Sequence, residues 1–184
     1  MSEILEAVYR GDKARVDELL AANPTLDVFE AAAIGRSHRV TELLDADPGL
    51  VSSWTDDGFT PLHLAAFFRR PETARLLVDR GALVDVVARN EQLQVTPLQS
   101  AVAAREEETA ALLLERGADP NVQQLGGFTA LHAAAQNGDE PLAELLLSHG
   151  ADASIPAEDG RTAADFARDG GHTELAERLT GREP

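Results

Sequence analysis

Apolar residues fall in two kinds of short run that alternate along the chain. One kind is rich in alanine, as in Ala65-Ala66, Ala103-Ala104 and Ala133-Ala134; the other is rich in leucine, as in Leu76-Leu77, Leu112-Leu113-Leu114 and Leu145-Leu146-Leu147. Each leucine run closes on a glycine, in Gly81-Ala82, Gly117-Ala118-Asp119 and Gly150-Ala151-Asp152. A second landmark keeps the same beat. Thr60-Pro61-Leu62-His63 returns as Thr96-Pro97-Leu98-Gln99, then as Thr129-Ala130-Leu131-His132, and in degraded form as Thr162-Ala163-Ala164-Asp165, at spacings of 36, 33 and 33 residues. Two landmarks in register define a repeat that holds one Ala-rich and one Leu-rich segment.

The residues at the segment ends predict two short antiparallel helices per repeat. Thr60 and Thr96 offer a side-chain oxygen to the free amides of a first helix, and Pro61 and Pro97 stand at its first position, where a missing amide costs nothing. Pro71 and Pro141 open the second helix in the same way, and Gly81, Gly117 and Gly150 close it in the left-handed conformation that glycine tolerates. No helix pair buries its apolar face alone. Stacked pairs make one continuous core: small alanines let neighbours approach, and leucines fill the space between them.

The two ends differ from the middle. Ile4 to Val8 and Val16 to Leu20 form a first pair with many charges on the side that has no neighbour, and the next pair, Phe29 to Ala33 and Val40 to Leu44, follows at a spacing of 24 residues, Gly11 to Gly35. Asn23 to Asp27 is then a tight connection. At the far end Glu177 and Arg178 replace leucines and Asp165 replaces the motif histidine, which makes the last pair polar outside. The expected division is a single domain over residues 1–180, with pairs at 1–24, 25–54, 55–87, 88–122, 123–155 and 156–180 and a frayed tail at 181–184. The first and last pairs are the caps.

Composition narrows the function classes. At 184 residues, with 43% hydrophobic and 26% charged, the chain can bury roughly 70% of the surface its unfolded form exposes, so it needs no staple. It has no cysteine, hence no disulfide framework, thiolate nucleophile or sulfur-rich zinc site. A formal net charge of −16 repels phosphate backbones and anionic lipid, so neither direct nucleic-acid binding nor membrane binding is expected. The acidic start, Ser2-Glu3-Ile4-Leu5-Glu6, is unlike a secretory signal, and a cytoplasmic monomer is the expectation.

The T-P-L-H-x-A-A motif, the Gly-Ala-Asp closure and the 33-residue period resemble ankyrin repeats across nearly the whole chain. The resemblance weakens in the first two pairs, where Phe29-Glu30 stands in place of Leu-His. It implies an all-α solenoid of about six helix pairs with short β-hairpin fingers between the middle and C-terminal repeats. It also implies a protein-protein interaction module, an adaptor or regulator that holds a partner protein on the concave face of fingers and first helices. Carried onto that face, the register displays Trp54, Asp56, Asp57 and Phe59 on the finger before Thr60, and Phe67 and Phe68 at the end of the following helix. Leu93 and Val95, Leu125 and Phe128, and Gln136 and Asn137 continue the surface. Exposed aromatics at such a centre are typical anchors of binding; the competing expectation is that they fold back to seal fingers and helix ends. The spacing of 36 places three extra residues within Ala88 to Gln94, with Gln94 where a glycine usually tightens the turn.

Other constellations carry less chemistry. His63 and His132 belong to the motif, where the imidazole bonds neighbouring backbone; His38, His149 and His172 lie at helix ends without the pairing a zinc hydrolase needs. Phosphate-cradling loops and nucleophile elbows are absent, so no catalytic residue, metal or cofactor is expected. Glu106-Glu107-Glu108 reads as solvated charge at a turn. The local excess of Arg36, Arg39, Arg69, Arg70, Arg75 and Arg80 either steers an acidic partner or pairs with nearby acids. An alternative function is an acidic decoy that displays Asp56, Asp57, Glu158 and Asp159 to the basic groove of a nucleic-acid-binding protein; such binding would weaken steeply with salt.

Overall fold

The computed structural model describes residues 1–181, and among them twelve α-helices form in chain order. They alternate as α1 (Glu3–Tyr9), α2 (Lys13–Ala21), α3 (Val28–Ile34), α4 (Ser37–Ala46), α5 (Pro61–Phe67), α6 (Pro71–Asp79), α7 (Pro97–Ala103), α8 (Glu107–Glu115), α9 (Ala130–Gln136), α10 (Glu140–Ser148), α11 (Ala163–Asp169) and α12 (Thr173–Thr180). Odd-numbered helices pack on odd, α3 on α5 on α7 on α9 on α11, and α4 packs on α6 on α8 on α10. The result is the all-helical solenoid of six pairs that the period implied. One core runs through it from Ile4 to Leu179. Apart from Gly181, the tail read as frayed lies outside the described residues.

Capping decides where the first helices begin. Thr60 Oγ1 accepts from the His63 amide at 3.4 Å and Thr96 Oγ1 from the Gln99 amide at 3.2 Å, with Pro61 and Pro97 at the helix starts. The residue three places on reaches back to the cap amide. That job is done by Glu30, His63, Gln99, His132 and Asp165 in successive repeats. Where a widened or standard finger follows and needs anchoring, the residue is one that can also donate. The His63 ring bonds Val95 O at 3.0 Å, Gln99 Nε2 donates to Val122 O at 2.7 Å, and the His132 ring bonds Arg161 O at 3.3 Å.

The segments between pairs are tight turns rather than strands; the β-hairpins implied for the fingers are not formed as strands among the described residues. The reason is length. A single backbone bond closes each base, from the amides of Thr55, Ala88, Gln124 and Ala157 to the carbonyls of Phe59, Val95, Phe128 and Arg161 at 2.8 Å each, so no ladder can grow. The second turn is wider by the three inserted residues. Between α4 and α5 the chain also makes a 3-10 turn, Pro48–Ser52, that the sequence pattern did not announce.

Each first helix ends in a left-handed residue shortly after its last turn. Arg69 (φ +60°) and Arg105 (φ +55°) occupy this place in the middle of the array, where Gly138 (φ +61°) stands one repeat later. Both arginines form ion pairs to the next repeat, Arg69 to Glu106 at 3.0 Å and Arg105 to Asp139 at 2.9 Å, which return only part of the cost of that conformation. Glu106 is therefore largely buried and paired, not solvated as the turn position suggested. Most of the local arginine excess is likewise engaged: Arg39 meets Glu42 at 3.0 Å, Arg80 meets Asp45 at 2.7 Å, and Arg70 Nε donates to Ala33 O at 3.0 Å.

Candidate functional site

The finger turns do not stack evenly. The Arg89 amide donates to Gly58 O at 2.8 Å and the Glu158 amide to Gly126 O at 2.9 Å, so the first turn leans on the second and the third on the fourth. Between the second and third turns, no backbone bond forms among the described residues. Asn90 organises the inserted segment there: its side-chain oxygen accepts from the Gln92 and Leu93 amides, and its Nδ2 donates to Asp57 O at 2.9 Å. A groove of about 370 Å³ opens at this break.

Three successive first helices floor the groove with Leu64 and Phe67, Gln99 and Ala103, and Thr129 and Ala133. Its walls are Asp57 and Phe59 from the first turn, Leu93 and Val95 from the second, and Gln124 from the third; Tyr9 reaches in from α1. Three of these side chains hold apolar surface in water: Tyr9 is 38% exposed, Phe67 45% and Leu93 55%. Leu83 and Leu125 are exposed as well, but singly, whereas these three gather around one groove.

Asp57, Phe59, Phe67, Leu93 and Val95 thus come together at one place. The other residues expected on the display face are divided. Trp54 and Asp56 border a second hollow beside Leu5, Asp27 and Phe29, which Asp57 also lines, standing between the two; Arg89 lies over the Trp54 ring, 4.0 Å from its centroid. Phe68 is half-buried, edge-on to Tyr9 at 5.0 Å and to Phe67 at 5.2 Å. Phe128 is half-buried too and meets Phe166 at 5.3 Å and His132 at 5.9 Å, a seal between two repeats. Leu125 is 56% exposed at its turn, and Gln136 and Asn137 are exposed where α9 ends.

The residue that sequence reasoning missed is Tyr9. It is the last residue of α1 as Phe67 is of α5, and this shared register was the available signal. Burial, and then the neighbouring Asp57 charge, push its phenol up from the usual tyrosine range.

The titratable groups of the motif serve structure. His63 is 1% exposed; its Nδ1 accepts from the Thr60 amide and hydroxyl while its other nitrogen faces the Val95 carbonyl, so the proton sits on Nε2. Burial pulls its pKa down to about 4, and it pulls His132 down as well. Among the described residues no three His, Asp or Glu side chains converge in a way that would hold a metal ion. No helix there is long and apolar enough to cross a membrane.

A helix-pair solenoid with an apolar groove across its first helices belongs to the repeat proteins that work through surfaces. Residues 4–124 match the family profile for ankyrin repeats in three copies, and residues 113–167 match that for ankyrin repeats in many copies. The chain belongs to the ankyrin repeat family. It is also similar to Ankyrin-3 of Rattus norvegicus, at 48% identity over 42 residues; the matched stretch is 23% of this chain and 2% of that protein. Ankyrin repeats generally serve as protein-protein interaction modules.

Proposed function

We propose that this protein is an adaptor or regulator that holds a partner protein on the face built from the finger turns and first helices, with the groove at Phe67 and Leu93 as its centre. The observation that carries this reading is the exposure of Tyr9, Phe67 and Leu93 around one 370 Å³ groove at the break in finger stacking. Desolvating such side chains supplies most of the affinity of a protein interface, while the polar edge, here Gln136 and Asn137, sets orientation. Phe68 braces Tyr9 and Phe67 edge-on, and Phe128 packs against Phe166 instead of reaching the groove.

The acids proposed for a decoy surface do not converge. Asp56 lies 3.7 Å from the amino terminus, Asp159 is bonded to Arg161 at 2.7 Å, and the apolar groove lies between the first and last turns. No specific observation favours that alternative.

The test compares proteins captured from the source organism's lysate by the wild type, by Phe67→Ala/Leu93→Ala and by Leu83→Ala, a control at another exposed leucine. A partner retained by wild type and control and lost by the double variant supports the site. Equal recovery on all three would refute it.

A further inference from the structure

The groove has one charged wall. Asp57 lines it beside Tyr9, half-buried, and among the described residues it takes part in no ion pair, whereas its neighbour Asp56 faces the amino terminus. No cationic side chain lines the groove; the closest candidate by position, Arg89, lies over Trp54. A carboxylate that is partly shielded from solvent attracts a cation more strongly than one fully in water, because screening is reduced. The chain as a whole, at −16, favours the same sign of partner.

The groove is also long for its volume. It crosses the first helices of three repeats, a span of roughly 20 Å at 8–10 Å between helix axes, which is about six residues of extended chain. At the third turn the Gln124 side chain forms no hydrogen bond among the described residues and can meet a peptide backbone.

We propose that the groove takes an extended peptide segment carrying a bulky apolar side chain beside a lysine or arginine, the apolar group lodging among Phe59, Phe67 and Leu93 and the cation meeting the Asp57 carboxylate. This deepens the reading of the groove as the partner site and rests on it. The aromatic lining suits both halves of such a segment, since Tyr9, Phe59 and Phe67 supply apolar surface for the bulky side chain and for the aliphatic stem of the cation beside it.

The probe is a random heptapeptide display library panned on the full-length protein. Selected peptides are expected to carry Leu, Ile, Met or Phe within two positions of Lys or Arg. Their affinity should fall roughly fivefold in Asp57→Asn, the loss of one partly screened ion pair, and beyond detection in Phe67→Ala/Leu93→Ala. Asp57→Lys, panned afresh, should select acidic residues at the same offset. Circular dichroism melts verify that all variants fold. Selection of apolar peptides whose binding needs Phe67 but ignores Asp57 would overturn the cationic preference and leave the partner site standing. A library that yields nothing dependent on Phe67, or a groove that takes up only an apolar dye, overturns both.

Discussion

His63→Gln should make the protein less sensitive to acid. The buried ring is held neutral in the fold with its pKa pulled down to about 4, whereas in the unfolded chain it titrates near 6.5. The sign follows from proton counting: between these values the unfolded chain binds the proton and the fold does not. The contribution is thus fully present above pH 6.5 and is lost as pH falls toward 4. A gap of about 2.5 units corresponds to about 3 kcal/mol, of which roughly 2 kcal/mol is lost between pH 7 and pH 5. Glutamine is the right replacement because the next repeat already uses it. Gln99 accepts from the Thr96 amide at 2.9 Å and its Nε2 donates to Val122 O at 2.7 Å and reaches Phe128 O, the carbonyl equivalent to Val95 O, at 3.4 Å, so it ties the cap to the next finger as His63 does without a titrating group. The edge-on contact of His63 with Phe59 at 5.9 Å is lost too, but that offset does not depend on pH. Urea unfolding of wild type and variant at several pH values from 7 to 5 measures the difference, in which all other titrations cancel. Two curves that stay parallel across this range would show that His63 titrates normally in the fold.

Two further substitutions test the packing. Thr109, in α8, is fully buried, and its hydroxyl has no hydrogen-bond partner, whereas Thr73, one repeat earlier, shares a 2.8 Å bond with Ser37; Thr109→Val should therefore stabilise the fold by about 1 kcal/mol in denaturant unfolding, and Thr73→Val should destabilise it by a similar amount. Gly58 (φ +87°) supports the contact between two finger turns, and a methyl there would lie 2.6 Å from the Arg89 carbonyl carbon. Gly58→Ala should cost about 2 to 4 kcal/mol and Gly81→Ala (φ +93°), with open space around it, about 1 kcal/mol, read from the melting midpoints of the two variants.

The helix pairs were legible in the sequence because their signals are local. A threonine cap, a proline at the first turn and a glycine at the exit constrain backbone within three or four residues, and each stands where the helices begin and end. The display face was legible only in part, because exposure depends on neighbours in the next repeat. Phe128 looks like an anchor until Phe166, thirty-eight positions on, covers it; Phe68 looks alike until Tyr9 arrives from the first pair. The buried state of Glu106 has the same origin, since the arginine that draws it in belongs to the preceding repeat. The break between turns was visible as three extra residues, yet nothing in their composition says that they open a groove rather than extend a finger.

The uneven stacking of the turns gives the molecule a mechanical asymmetry. On the helix side, packing is continuous from α3 to α11; on the turn side, backbone bonds tie the turns into two couples with none joining the couples. Flexing about the shared helix layer would therefore spread or narrow the space between Leu93 and Gln124 without breaking a main-chain hydrogen bond. Across that space the tie is a side chain: the Gln99 amide on α7 reaches Val122 O and Phe128 O, so the groove's width is adjustable where a backbone bond would have fixed it.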